Sequence, residues 1–329
     1  MSTHKIPTHA WRPNRREMFL FGLGGLVAAV PFARRRPLAL VKREFAVMGT
    51  IGRIAVAHRD PQRVQAAIDA AVEALRWVDR TMTNFSALSD VGRANLRAAK
   101  EAVTISPETA DVLIAAQSWA ETSDGTFDPC VGRSIELWDV KHRHEPPPAR
   151  DVARLANRKL YRQLEIGRRL GMPVVRFHDA DVNIDLGGIA KGYGVDRAVA
   201  ALRERGVEHA LVAAGGDIYA LGRSPSGEPW QIGIQSPFDK DALVGSLPFE
   251  NAAISTSGDY EQFFICGGRR YHHIVDPTTG APGQTARRSV TVVAGTNMAA
   301  DAGATLAFAL SGGGQEILAK HGAHIAHMI

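Results

Sequence analysis

The sequence predicts an α+β fold, and three observations carry that expectation. Strand-like and helix-like segments are interspersed without the strict alternation that a doubly wound parallel sheet requires. No internal repeat of solenoid or propeller period is present. With 45% hydrophobic and 22% charged residues, the balance is that of a globular chain, which excludes disordered, collagenous and coiled-coil classes. The 329 residues are about twice a typical domain of roughly 150, so one large domain or two smaller ones fit the length.

The elements follow in order. Residues 45–57 (FAVMGTIGRIAVA) alternate as a strand interrupted at Gly49. Asp60-Pro61 is an N-cap and N1 pair for a helix whose inward face is Val64, Ile68, Val72 and Leu75, running to about Arg80. Ser106-Pro107 opens a second helix with Val112, Leu113, Ala116 and Trp119 inward. Residues 141–150 (KHRHEPPPAR) read as a surface loop, after which Asp151 caps a short helix. Strand-like runs occupy 173–178, 209–214, 230–235, 262–266 and 289–294. A helix at about 189–205 stops at Gly206, and another runs from about Met298 to Leu310.

The formal charge of +5 is unevenly distributed. Residues 1–43 hold nine Lys/Arg and one acid, a balance of +8, which leaves the body, residues 44–329, at −3. A nucleic-acid binder carries its positive charge on the folded domain, so no nucleic-acid partner is expected. Arg15-Arg16 precede an apolar run of 16 residues, Met18–Ala33, short of the roughly 20 that span a bilayer. This pattern resembles a twin-arginine export signal. The expectation is an exported protein, periplasmic or on the periplasmic face of the inner membrane, with residues 1–43 either removed or kept as an anchor. Two cysteines, Cys130 and Cys266, exclude a disulfide scaffold and a cysteine-rich zinc module.

Common catalytic signatures are missing: there is no GxxxxGK, clean GxGxxG, HExxH or GxSxG. Four segments remain. Asp185-Leu-Gly-Gly-Ile-Ala-Lys-Gly-Tyr-Gly194 lies between a strand and a helix, where glycines admit a ligand to the backbone, helix N-terminal amides favour phosphate, and Lys191 adds charge. A plain tight turn explains it equally well. Asp301 and Thr305 are four apart in a helix and share a face; as hard oxygen donors they suit Mg²⁺, or Asp301 simply caps the helix. Tyr271-His272-His273-Ile-Val-Asp276 ends in a Pro/Gly turn, where a histidine serves as a general base or as a hydrogen-bonded turn residue. Adjacent histidines on an extended segment face opposite sides, which argues against a shared metal ion. Ser123-Asp-Gly-Thr-Phe-Asp-Pro129 reads as a polar turn carrying an exposed aromatic.

In combination these segments resemble the ApbE family of FAD:protein FMN transferases. The resemblance spans about Phe45 to Gly322 and includes Met48-Gly-Thr50, GTFDP (125–129), DLGGIAKGYGVDRA (185–198), Ala214-Gly-Gly-Asp-Ile218, STSGDY (255–260), HIVDPTTGAP (273–282) and AADAGATLAFAL (299–310). It implies mixed, largely antiparallel sheets with flanking helices. It also implies transfer of FMN from the substrate FAD to a Ser or Thr hydroxyl of an acceptor flavoprotein subunit or flavodomain, with Mg²⁺ as cofactor and AMP released. By that resemblance His273 is the base. Met48, Phe85, Thr126, Phe127, Asp128, Asp185, Lys191 and Ile274 line the FAD site, and Gly188, Asp301 and Thr305 hold the metal. Several positions depart from the family pattern: Asp90-Val91-Gly92 breaks a helix-friendly stretch, Thr278 stands where Arg is common, Cys130 where a hydroxyl residue is common, and Phe85 where Tyr is common. A Mg²⁺-dependent FAD pyrophosphatase and a non-catalytic FAD-binding protein are the alternatives. The first differs only in taking water as acceptor, and the second needs neither His273 nor the metal ligands.

Overall fold

The computed structural model describes residues 38–239, 241–310, 312 and 314–329. The twin-arginine motif and its apolar run lie outside the described residues. In chain order the elements are β1 (Ala39–Val47), β2 (Thr50–His58), α1 (Gln65–Met82), α2 (Asp90–Arg97), β3 (Val103–Thr104), α3 (Pro107–Thr122), α4 (Gly132–Trp138) and α5 (Ala149–Leu155). A short 3₁₀ turn at Leu160–Gln163 leads into β4 (Leu164–Arg169), β5 (Met172–Phe177), α6 (Ala190–Arg203), β6 (Ala210–Ala214), β7 (Asp217–Leu221), β8 (Trp230–Gln235) and β9 (Leu243–Phe249). Then come β10 (Ala252–Gly258), β11 (Phe263–Cys266), β12 (Arg269–His272), β13 (Val275–Asp276), β14 (Ala281–Pro282), β15 (Ser289–Ala294), α7 (Asn297–Ala309), α8 (Gln315–Lys320) and β16 (Ala323–Met328).

The architecture is the expected α+β class. A seven-stranded sheet of order β1-β2-β6-β7-β10-β15-β16 is antiparallel at every step. Its inner strands β6 (ALVAA) and β15 (SVTVVA) are buried on both faces, so their residues do not alternate between polar and apolar. Alternate residues serve different layers. Ala210, Val212 and Ala214 join α1, α6 and α7 in the main core, while Leu211 and Ala213 face the β8–β9 hairpin through Trp230 and Ile232. The helical layer is closed on its far side by α3 and the three-stranded sheet β3-β5-β4, whose Val103 and Val175 belong to the same core. Among the described residues no helix is long and apolar enough to cross a membrane.

Several local expectations are corrected. Gly49 does not interrupt one strand: Met48 and Gly49, at φ 50° and 69°, form the two-residue turn of the β1–β2 hairpin. Strand β1 also takes in Ala39–Arg43, residues that the charge count had grouped with the leader, and Arg43 pairs with Asp69 of α1. Asp60 accepts from the Gln62 amide in a turn, and α1 begins only at Gln65. Asp90-Val91-Gly92 is helical, because the Ser89 hydroxyl accepts from the Gly92 amide and caps α2. Asp151 sits inside the first turn of α5 rather than capping it. Phe127, expected to be exposed, is buried 6.5 Å from the Trp119 ring. Cys130 and Cys266 are both free thiols.

Candidate active site

The site forms where α6, α7 and β7 converge. The chain enters α6 through Asp185-Leu-Gly-Gly, and the main-chain amide of Gly187 donates to Asp185 Oδ1 at 2.8 Å. Asn84, in the α1–α2 loop, donates to Asp185 Oδ2 at 2.7 Å. Asp185 is thus oriented as an acceptor, and burial raises its pKa above the ordinary carboxylate value despite these two bonds and the nearby Lys191.

The close approach of α6 to α7 depends on Gly192. A Cβ there would lie well inside van der Waals contact of the Asn297 carbonyl oxygen, 2.5 Å from its carbonyl carbon and 2.8 Å from Met298 N. One turn further along α6, Asp196 accepts from the Asn297 amide at 2.7 Å and the Met298 amide at 2.8 Å, and so caps α7 from another helix. Burial lifts Asp196 to about 6 against these bonds. The packing brings Asp301 to the start of α6, where its Oδ2 accepts from the Gly192 amide at 3.0 Å.

Lys191 sits between two buried carboxylates. Its Nζ is 3.1 Å from Asp301 Oδ1 and 3.3 Å from Asp217 Oδ2, and it donates to the Gly187 carbonyl at 2.9 Å. Burial disfavours the ammonium, but the two carboxylates outweigh it and hold the Lys191 pKa above its ordinary value. Asp217 is almost fully enclosed, and its Oδ1 has no hydrogen-bond partner. Burial, then repulsion from Asp301, raise its pKa well above the ordinary carboxylate value. Two carboxylates facing one ammonium carry surplus negative charge, which a further cation would offset.

The oxygen donors fit a hard divalent ion. Thr305 lies one turn along α7 from Asp301, and its Oγ1 would be 3.1 Å from a Cβ placed on Gly188, so that glycine keeps its backbone open beside the hydroxyl. The Phe127 ring closes the same spot at 3.4 Å. Among the described residues no group of three or more His, Cys, Asp or Glu is arranged as a metal cage.

His273 follows β12. Its amide donates to the Gln262 carbonyl at 3.1 Å, and its Nδ1 lies 3.4 Å from the same oxygen. Donation from Nδ1 leaves Nε2 as the basic nitrogen. Burial pushes His273 down to about 4; the Gln262 carbonyl opposes this, and the charges of His272 and Lys191 reinforce it. The ring is therefore neutral near pH 7, and the Lys191 charge acts on it. His272 turns elsewhere, with its Nε2 2.7 Å from the Gly283 carbonyl, as opposite faces of a strand require.

The remaining expected residues are distributed unevenly around this centre. The Sδ of Met48 would lie 3.4 Å from a Cβ on Gly194 of α6, which puts its side chain against the site helix. Thr126 is half-buried beside Phe127, and Ile274 is buried next to His273. Asp128 ties its turn to the 3₁₀ turn at Leu160–Gln163: Oδ1 accepts from the Cys130 amide at 2.8 Å and Oδ2 from the Tyr161 amide at 3.2 Å, while burial raises it to about 6. Phe85 is 96% exposed on the α1–α2 loop, packed against nothing. Two participants were not singled out from the sequence. Asp217 had a usable signal, a lone carboxylate opening an otherwise apolar buried strand (DIYAL), because such a group is rarely buried without a purpose. Asn84 had none.

Comparison with known proteins agrees with the motif resemblance. The ApbE family matches residues 48–329. A FAD:protein FMN transferase of Treponema pallidum is 34% identical over 280 residues, covering 80% of this chain and 77% of that protein. The structure of the ApbE protein of Thermotoga maritima superposes with a TM-score of 0.78 at 31% identity, covering 87% of this chain and 93% of that one. A flavin transferase ApbE from Vibrio cholerae gives a TM-score of 0.72 at 28% identity, covering 87% of this chain and 90% of its own. Fold, motif order and sequence coverage agree, and the chain belongs to the ApbE family.

Proposed function

We propose that the protein is a FAD:protein FMN transferase that uses Mg²⁺ and joins FMN through a phosphoester to a Ser or Thr hydroxyl of an acceptor flavoprotein, releasing AMP. The observation that carries this reading is the cluster of two carboxylates and one ammonium at the start of α6, with the Thr305 hydroxyl beside it and its Lys191 charge acting on the neutral His273. Such a cluster suits a diphosphate with its cation and needs little covalent work from the protein.

Asp301, Thr305 and the backbone at Gly188 would hold Mg²⁺, whose contribution when bound is to neutralise charge on the diphosphate and leaving group. Lys191, fixed by Asp217, supplies a second positive charge at the same place. Asp185, held by Asn84 and the Gly187 amide, accepts from the flavin nucleotide. Phe85 offers an exposed ring for stacking on it, and Met48, Thr126, Phe127 and Ile274 supply the remaining walls. Asp128 acts by shaping the loop that carries Thr126 and Phe127. His273 Nε2 takes the proton from the acceptor hydroxyl as the oxygen attacks phosphorus. The twin-arginine-like leader supports export, and so an acceptor at the periplasmic face of the inner membrane.

The test combines the full chain, FAD and a candidate acceptor flavodomain from the same genome, read by intact mass with Mg²⁺ and with chelator. An FMN adduct that appears only with Mg²⁺ is expected. AMP and FMN released without an adduct would point to a pyrophosphatase, and intact bound FAD to a carrier.

A further inference from the structure

The β11–β12 hairpin has one packed face and one open face. Phe264 stacks on Tyr271 at 5.1 Å, and Tyr271 on Trp138 at 5.3 Å, which anchors the hairpin to α4. On the opposite face Phe263 pairs with His272 and Ile265 with Arg270 across the ladder. Phe263 and Ile265 are 37% and 60% exposed. The Arg270 guanidinium lies 3.9 Å over the Phe263 ring. Arg270 and Arg288 share one carboxylate, Asp259, at 3.6 and 2.5 Å. Arg288 in turn lies 5.9 Å from the Phe238 ring, which is 72% exposed.

These contacts make one continuous patch of three large apolar side chains interleaved with two arginines. The hairpin is anchored by its other face and by His272 against Phe308, while the side chains of Phe263 and Ile265 stay in part exposed. Aromatic residues and arginine are the types that concentrate in the energetic centres of protein interfaces. Arg270 and Arg288 share Asp259 as their carboxylate partner. The position of the patch is equally telling. Gln262, whose carbonyl holds His273, immediately precedes Phe263, and His272, paired with Phe263, immediately precedes His273. The patch therefore runs up to the basic imidazole.

We propose that this face docks the acceptor protein, taking an apolar side chain over Phe263 and Ile265 and a carboxylate at Arg270 and Arg288, and so delivers the acceptor hydroxyl to His273. The inference rests on the transferase reading, and its test separates the two.

The full chain is compared with its Phe263→Ala/Ile265→Ser and Phe238→Ala variants, with unchanged FAD affinity and a cooperative melt as the controls for folding. Calorimetry with an acceptor flavodomain whose Ser or Thr is replaced by Ala reads docking without chemistry. Binding at least about tenfold weaker in the variants, and weaker in wild type as salt rises, is the expected result. In transfer assays the acceptor KM rises by the same factor while kcat holds. Equal binding by wild type and variants, or no binding by wild type, overturns the proposal. So does a change in the enzyme's own sedimentation on substitution, which would mark a self-association face. Wild type that binds the acceptor but forms no adduct refutes the transferase reading and leaves the docking surface standing.

Discussion

Replacing Gly192 by Ala probes the contact on which the site is built. The added Cβ would meet only backbone: the Asn297 carbonyl, with its carbon at 2.5 Å, and Met298 N at 2.8 Å. No side chain can rotate away, so α6 and α7 must separate by about 1 Å to restore ordinary contact. Overpacking of this kind costs about 1–3 kcal/mol. The same shift stretches the Gly192 amide bond to Asp301 and both bonds from α7 amides to Asp196, charge-assisted bonds worth about 1.5–3 kcal/mol each when lost outright. A total near 3–4 kcal/mol is expected, a large part of a typical stability of about 5–15 kcal/mol. Urea unfolding should show a lower midpoint with unchanged slope. Gly245→Ala on β9 is the control, since a Cβ there meets nothing within 4 Å, and it should be neutral or slightly stabilising. A Gly192→Ala protein within about 0.5 kcal/mol of wild type would refute the argument that this helix contact positions Asp301.

Other outcomes follow from the same geometry. His273→Ala should slow FMN transfer by about 10²–10⁴ with FAD affinity retained, measured by single-turnover kinetics and titration. Because burial holds the folded pKa of His273 near 4, below the ordinary 6.5, its contribution to stability is full above pH 6.5 and is lost as pH falls toward 4; comparing urea midpoints at pH 7 and 5, the drop should be smaller in His273→Ala. The acid limb of the transfer rate should likewise lie nearer pH 4 than 6.5, and a midpoint at 6.5 would reject a buried neutral base. Lys191→Met leaves Asp217 and Asp301 facing each other and should cost about 2–4 kcal/mol in chelator, with Mg²⁺ restoring more melting temperature than in wild type; a variant as stable as wild type in chelator would contradict the pairing. Asp196→Ala removes the acceptor for two α7 amides and should cost about 2 kcal/mol in urea unfolding.

Much of the fold was legible because local patterns agreed with tertiary need. Ser106-Pro107 opens α3 as expected, with Ser106 accepting from the Thr109 amide. The runs at 209–214 and 289–294 become strands β6 and β15, whose residues are buried on both faces. Where the reading slipped, a turn or cap was at issue. Met48-Gly49 looked like a break in a strand because a two-residue hairpin turn is recognised only when its second strand is seen to pair. Phe127 looked exposed because nothing nearby in the chain reveals that Trp119 and the Gly188 backbone will enclose it.

The site divides along the same line. Residue type and spacing alone carry the chemical inventory and the family: the DLGGIAKG turn, the Asp301–Thr305 pair on one helical face and the HIVDPTTG segment. Which groups meet follows from packing. It placed Lys191 between Asp217 and Asp301, turned Asp128 inward to the Cys130 and Tyr161 amides, fixed Asp185 through Asn84, and enclosed His273 enough to keep it neutral. Those outcomes depend on burial and on contacts between residues up to 110 positions apart. Burial and long-range charge pairing are properties of the packed molecule, and no local stretch of chain encodes them alone.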